Sequence, residues 1–340
     1  MLLAIGVGAL WSGTALLATA QDSGFWRGKR VTIVVPTGPH SGYDAYARLI
    51  SRHIGKHLPG RPNVAVQNMP GASGMTAANF IASNAPKDGS VFALFDRAVA
   101  TAPLLHAESS KAMFDPLRLN WLGSLTHDTA MGVLSARAPV QSLEEARKTE
   151  LLFGAAGPES DAAIYARLLN ALLGTKIKVI STFKTQPEIF LAMERGELHG
   201  LFVPAYSGNA RSYVEDQVAK GQMKLLIQMT LQKDHKLADV PAVLDYVNKD
   251  DDRQLVELLL ARLWFGRPLV APPDLPPERL ADLRSAFSNV TRDPELLADA
   301  KQSRLPMRPM VADDADDFVR RLYQSPHDIV QRARRMVAAP

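Results

Sequence analysis

Val31-Thr32-Ile33-Val34-Val35-Pro36, then Thr37-Gly38-Pro39-His40-Ser41-Gly42, then the run from Asp44 to about His57 decide the fold. Five mostly β-branched residues closed by a proline read as a short buried strand. The loop that follows opens a helix with Tyr46, Leu49, Ile50 and Ile54 on one stripe. Working outward, residues 64–66 make a second apolar strand, 70–74 a Gly-rich turn and 75–83 a helix. Pro86-Lys87-Asp88-Gly89 is a turn signal, and residues 91–95 form a third strand. Strands alternating with helices indicate an α/β domain with a largely parallel sheet.

The alternation restarts downstream. A strand at residues 151–153 leads through a loop at 154–160 into a helix from 161 to about 173. Strands near 178–181 and 199–203 flank a helix at 187–195, and residues 223–229 form another strand. Helical segments are expected around 239–247 and 252–262, a strand at 265–270, and helices near 277–290 and 313–323. A chain of 340 residues exceeds one ordinary core, so two domains are expected. The composition is 46% hydrophobic and 22% charged, which is that of a globular protein and excludes disorder, a coiled coil or a multi-span membrane protein. Thirty-nine basic against 35 acidic residues give a net charge of only +4 with no basic run, so no nucleic-acid partner is indicated. The absence of cysteine excludes disulfides, thiol nucleophiles, zinc ribbons and a lipidated N-terminus.

Residues 1–20 carry no charged side chain and end in Ala18-Thr19-Ala20, the small-residue pattern of a cleavable signal peptide, with cleavage after Ala20. About 20 apolar residues are also enough for an uncleaved anchor. Gly6, Gly8, Ser12, Gly13 and Thr14 weaken that alternative, and the basic segment usual at the start of a signal peptide is missing.

One internal echo links the two halves. Pro39-His40-Ser41-Gly42-Tyr43-Asp44-Ala45-Tyr46-Ala47-Arg48-Leu49 is similar to Pro158-Glu159-Ser160-Asp161-Ala162-Ala163-Ile164-Tyr165-Ala166-Arg167-Leu168. Each lies where a loop opens a helix, a place that offers unpaired backbone N–H groups and the positive end of the helix dipole. Such a site favours an anion without a charged side chain. Ser41, Asp44, Ser160 and Asp161 are also ordinary helix-capping residues, and capping needs no ligand. Phosphate-loop, dinucleotide and nucleophile-elbow motifs are absent, and no nucleophile–base set accompanies the loops. His53 and His57 stand four apart on one helix but have no third ligand, so they are expected on a solvated face. No cofactor or metal is called for, and the balance moves from catalysis to binding.

At this point the residues carry a family resemblance. Val34-Val35-Pro36 with Asp44-x-x-Ala47-Arg48 resembles the opening V-P-x-x-x-G-G-x-x-D-x-x-A-R of the Bug-type (TctC-like) periplasmic solute receptors of tripartite tricarboxylate transporters. Val66-Gln67-Asn68-Met69-Pro70-Gly71-Ala72-Ser73-Gly74 is similar to the family's V-E-N-x-P-G-A-G-G, and Pro86-Lys87-Asp88-Gly89 to its P-D-G turn. Residues 153–160 match its second ligand loop, Phe183-Lys184-Thr185 stands where Y-K-G is usual, and Asp239-Val240-Pro241 matches D-V-P. The resemblance implies a type II periplasmic-binding-protein fold, α/β, with two lobes and a ligand cleft between them. It implies lobe 1 at residues 21–127 and 228–340 and lobe 2 at 128–227, joined by crossing strands near 121–133 and 223–230.

The function so implied is capture of a small organic carboxylate in the periplasm and its delivery to the permease subunits of the transporter by a monomeric receptor. The pocket residues expected are Gly38, Ser41, Gly42, Asp44, Ala72, Ser73, Ser160 and Lys184, with Arg97, Phe183 and Tyr206 as specificity elements. Arg97 is suited either to pairing with a second ligand carboxylate or to a surface pair with Asp96. Tyr43, Phe183 and Tyr206 are suited to an apolar wall or to ordinary packing. Two other readings use the same fold: a receptor that signals to a membrane sensor, and an exported carboxylate-processing enzyme, which the missing nucleophile–base set disfavours.

Overall fold

Strand β1 (Arg30–Val35) divides its apolar side chains by alternation: Val31, Ile33 and Val35 enter one buried cluster and Val34 another. A strand buried on both faces needs helices on both sides, and the rest of the chain supplies them. The computed structural model describes residues 24–106, 110–206 and 208–338; the leader expected at residues 1–20 lies outside them.

After β1 come α1 (Gly42–His53), β2 (Asn63–Asn68), α2 (Met75–Ser83), β3 (Val91–Leu94), α3 (Ala102–Leu105) and β4 (Asn120–Ser124). Next are β5 (Ala130–Ser135), α4 (Leu143–Ala146), β6 (Leu151–Gly154), α5 (Asp161–Leu173), β7 (Ile177–Ile180), α6 (Gln186–Glu194), β8 (Gly200–Val203), α7 (Gly208–Ala219) and β9 (Met223–Met229). The chain finishes with α8 (Asp250–Trp264), β10 (Pro268–Ala271), α9 (Pro277–Val290), α10 (Pro294–Gln302), β11 (Met310–Val311), α11 (Ala312–Tyr323) and α12 (His327–Ala338).

The strands form two sheets, one ordered β11-β4-β10-β3-β1-β2 and the other β7-β6-β8-β5-β9. In the first, β1 runs parallel to β2 and β3, pairing Val35 with Asn68 and Ile33 with Phe92. Parallel pairing demands crossovers, so the loops after β1, β2 and β3 all emerge at the same edge. In the second sheet β6 is parallel to β7 and β8, while β5 is antiparallel to β8 and β9. This is the two-lobed type II periplasmic-binding-protein architecture.

The chain first crosses between sheets at residues 125–129, which separate β4 from β5. The second crossing differs from the expected strand at 223–230. That segment is paired with β5 along its length and stays in the second sheet. The return to the first sheet comes after β9, beyond Met229. The helix expected at 239–247 is reduced to a 3-10 turn at Val243–Tyr246, where Asp245 accepts a hydrogen bond from the Ala242 N–H beside Pro241.

His53 and His57 are not on a freely solvated face. They lie against the start and body of α10, with His53 Nε2 2.9 Å from Asp299 and His57 Nε2 2.8 Å from Asp293. Lys56, between them, pairs with Asp293 at 2.6 Å. Their four-residue spacing therefore serves an interhelical charge seam. Among the described residues no group of three or more potential metal ligands occurs.

Three buried clusters fill the layers. One joins α1, α9 and α10 to one face of the first sheet, and another joins α6, Tyr206 and Val214 to the outer face of the second. The largest is continuous from Val34 and Ala93 through Leu259, Phe318 and Ile329 to Tyr165, Phe153 and Phe202. It packs α5 of the second sheet against α8 and α12. Gly123, in β4, shows how tight the sheet–helix contact is. It sits at φ +130°, and a Cβ there would lie 2.3 Å from the Phe287 ring and 2.4 Å from the Met310 carbonyl oxygen. Gly123→Ala is expected to cost about 3 kcal/mol through backbone strain and overpacking. A lowered urea midpoint at unchanged m-value checks this, and an unchanged midpoint rejects the close approach.

Candidate functional site

The loop between β1 and α1 is built around one carboxylate. Asp44, only 2% exposed, accepts hydrogen bonds from the His40 N–H (3.0 Å), Arg48 Nε (2.8 Å) and Asn68 Nδ2 (2.9 Å). Asn68 also donates to the Thr37 carbonyl, so the end of β2 is tied to the loop after β1. Ser41 caps α1 by accepting from the Asp44 N–H, and its hydroxyl meets that of Thr37. The Arg48 guanidinium, opposed by burial and assisted by Asn68 and the His40 N–H, holds the Asp44 carboxyl down at about 2.

The turn before α2 is more contorted. Gly71, Ala72, Ser73 and Gly74 all have positive φ, at +143°, +45°, +52° and +92°. Two of these are non-glycine residues in a region that L side chains rarely adopt, a strain characteristic of binding loops. Helix α2 then begins with no side-chain cap; the Met75 and Thr76 N–H groups donate instead to the Ala72 and Gly71 carbonyls of the turn, which sets the positive dipole end of the helix beside the adjacent cleft. The third loop of this edge is fixed by Asp96, whose carboxylate accepts from the Ala98 N–H at 2.8 Å.

Opposite lies the start of α5. Gly157 has φ +131°, and the Ser160 hydroxyl donates to its carbonyl at 2.7 Å rather than capping the helix. The equivalent serines of the internal echo thus do different work. Asp161, at the first helical position, takes the negative charge that the dipole favours. One of its oxygens accepts from Arg97 Nη2 at 2.8 Å, and the other lies 2.6 Å from Arg262 Nη1.

The network extends inward. Arg97 Nη1 is 3.7 Å from Asp128, and Arg267 Nη1 is 3.9 Å from the same carboxylate. Arg267 stacks on Tyr43 and Tyr46, with ring centroids at 4.4 and 5.1 Å. Burial works most strongly against the Arg97 charge, but Asp161, Tyr165, Tyr43 and Asp128 together outweigh it and raise the guanidinium pKa. Burial, reinforced by Asp96, pushes the Tyr43 hydroxyl up to about 12, and burial with Asp161 raises Tyr165 strongly. Arg97 therefore pairs not with Asp96 but with Asp161 and, more distantly, Asp128. It joins the loop after β3 to α5 across the two sheets.

Between these loops is a cavity of about 930 Å³. One wall is Pro36, Thr37 and Gly38 with Pro70 to Met75, and the other includes His106, Glu159 and Arg262. Of the expected pocket residues, Gly38, Ala72 and Ser73 line it. Ser41, Gly42 and Asp44 stand behind the lining, where they shape the loop; Gly42 backs onto Arg267. Ser160 is adjacent to the lining residue Glu159. Phe183, Lys184 and Tyr206 are not brought to this cavity. Phe183 and Tyr206 pack into the outer cluster of the second sheet, and Lys184 is exposed with its N–H held by Glu188. Tyr43 belongs to a different cluster, so the three aromatics form no common wall.

His106, Glu159 and Arg262 were not singled out from the sequence. Arg262 carried one signal, a lone cation within the otherwise apolar run Leu258-Leu259-Leu260-Ala261-Arg262-Leu263. Burial and then the Arg262 charge lower the His106 pKa.

Two α/β sheets with helix-opening loops facing one cavity define the two-lobed binding-protein fold. Within that fold the chain belongs to the tripartite tricarboxylate transporter receptor family (TctC), whose family model matches residues 46–333. A UPF0065 protein of Bordetella bronchiseptica is 25% identical over 286 residues, covering 83% of this chain and 79% of its own. A TctC solute-binding protein from Polaromonas, solved without ligand, superposes with a TM-score of 0.70 at 20% identity over 89% of this chain and 98% of its own. Rpa4515 of R. palustris, solved with adipate, superposes with a TM-score of 0.58 at 17% identity over 91% and 98%. Among the described residues no helix is long and apolar enough to cross a membrane.

The Asp44 knot has a pH signature. Its carboxyl falls from an ordinary 3.8 to about 2 on folding, so its contribution is fully present above about pH 4 and is lost as the pH falls through 2. Asp44→Asn is expected to be less stable than wild type at pH 6, with a difference that narrows between pH 4 and 2. Urea melts across that range test it; a difference independent of pH would reject the charged knot.

Proposed function

We propose that this protein is a periplasmic receptor that captures a small organic carboxylate between two lobes and delivers it to the permease of a tripartite tricarboxylate transporter. The observation that carries the reading is the cavity onto which the positive dipole end of α2, the loop after β1 and the loop before α5 converge. Backbone N–H groups at helix starts bind a carboxylate without the desolvation cost of a dedicated ion pair, which agrees with the small net charge.

The mechanism follows from the lobes. We assign residues 21–127 and 230–340 to lobe 1 and 128–229 to lobe 2, a boundary two residues later than expected because β9 stays whole in the second sheet. The ligand lies on the lobe 1 loops, and closure brings the residue 157–161 loop over it. Gly38, Ala72 and Ser73 contact the acid, Ser41, Gly42 and Asp44 hold the loop in shape, and Ser160 steadies the opposing one. Export by cleavage after Ala20 and action as a monomer complete the reading. Adipate, bound by the R. palustris protein of the same fold, supports an acid of that kind.

Differential scanning fluorimetry of the mature chain against di- and tricarboxylates and aromatic acids is the test. A ligand at about 100 times its Kd adds about 2.7 kcal/mol, a shift of a few degrees. A melting temperature unmoved by every acid at millimolar concentration would overturn the reading.

A further inference from the structure

Arg262 is placed where none of the three loops could put it, at the end of α8, yet its guanidinium lines the cavity opposite Pro36 and Gly71. Its only carboxylate partner among the described contacts is Asp161, and that pairing is incomplete. Nη1 lies 2.6 Å from Asp161 Oδ1, but the two are not aligned as a hydrogen bond. Asp161 Oδ1 and Arg262 Nε are both buried with no hydrogen-bond partner. The other Asp161 oxygen, by contrast, is a well-formed acceptor for Arg97 at 2.8 Å. A half-buried guanidinium whose one ion pair is misaligned gains most from a carboxylate it can engage as a fork.

We propose that Arg262 is a specificity-determining residue that receives the second anionic group of the ligand, and that Asp161 is its resident competitor. The proposal rests on the receptor reading above and deepens it. An acid whose first carboxylate sits on the lobe 1 loops presents its far end toward the wall that holds Arg262. A far carboxylate replaces a misaligned contact with a paired one, whereas a methyl end leaves Arg262 with Asp161 alone. Glu159 and Asp96 also line the cavity, so a dianion placed away from Arg262 meets repulsion. Lys111 lines the cavity as well; Arg262 differs from it in standing against a carboxylate, Asp161, that a ligand's own carboxylate can replace. Arg97 stays with Asp161 and Asp128 and does not take part.

The test is isothermal titration of wild type, Arg262→Gln, Arg262→Lys and Asp161→Asn with acids paired by chain length: succinate with butyrate, and adipate with hexanoate. Wild type is expected to bind a diacid at least tenfold tighter than its monoacid. In Arg262→Gln that preference disappears while monoacid affinity stays within about twofold, and Arg262→Lys keeps part of it. Asp161→Asn, with the competitor's charge removed, is expected to bind the diacid several-fold tighter. Melting temperatures of all four proteins establish that each is folded, and Arg262→Lys carries the test should Arg262→Gln not fold. Equal loss of mono- and diacid binding in the arginine variants would overturn the proposal, as would a preference that survives them or weaker diacid binding in Asp161→Asn. If wild type binds none of the four acids, the receptor reading itself fails for this class, an outcome read from the wild-type arm alone.

Discussion

A single carboxylate at the start of α5 lies between two arginines that reach it from the other sheet's side of the molecule. Asp161 is 7% exposed, and a buried carboxylate without cationic partners would be costly enough to reshape its surroundings. The positions of α5, α8 and the loop after β3 are therefore constrained together. Asp128 extends the constraint into residues 125–129, where the chain first crosses between sheets, because both Arg97 and Arg267 lie close to it. The crossing segment and the cavity wall thus share one charge network.

The loops on the facing wall are held by a different economy. There the donors are backbone groups, and the side chains Asp44, Asn68, Thr37 and Ser41 bond to one another and to the loop instead of pointing into the cavity. Four consecutive positive φ angles before α2 let the turn close on itself, with the Gly71 and Ala72 carbonyls accepting from the Gly74, Met75 and Thr76 N–H groups. One wall is built of compact backbone turns, while charged side chains, among them Arg262 and Glu159, come from elsewhere in the lining. Such a division suits a ligand with chemically distinct contact needs at its two ends.

Much of the first lobe was legible in the chain. The β-branched run at residues 31–35 and the turn signals around it fixed β1, α1, α2 and β3 closely, because buried parallel strands and helix-opening loops leave strong local patterns. The start of α5 was equally plain from the internal echo. What was not legible depended on distant partners. The expected crossing at 223–230 was paired with β5 instead, and pairing is not written in a strand's own residues. Arg97 was weighed against Asp96 and a ligand, but its partner Asp161 stands 64 positions away. The histidines at 53 and 57 found carboxylates on α10, a helix that the sequence had not suggested. Phe183 and Tyr206 looked like cleft aromatics because aromatic type alone does not tell an inner sheet face from an outer one.

The largest apolar cluster passes without a break from Val34 beside β3 to Phe202 in the second sheet, by way of α8, α12 and α5. Two-lobed proteins are often pictured as independent bodies on a flexible connector, each with a core of its own. Here part of the core is common property. Exposing it requires both sheets to lose their cover at once, so the lobes form a single cooperative unit in unfolding even where they act as two in binding.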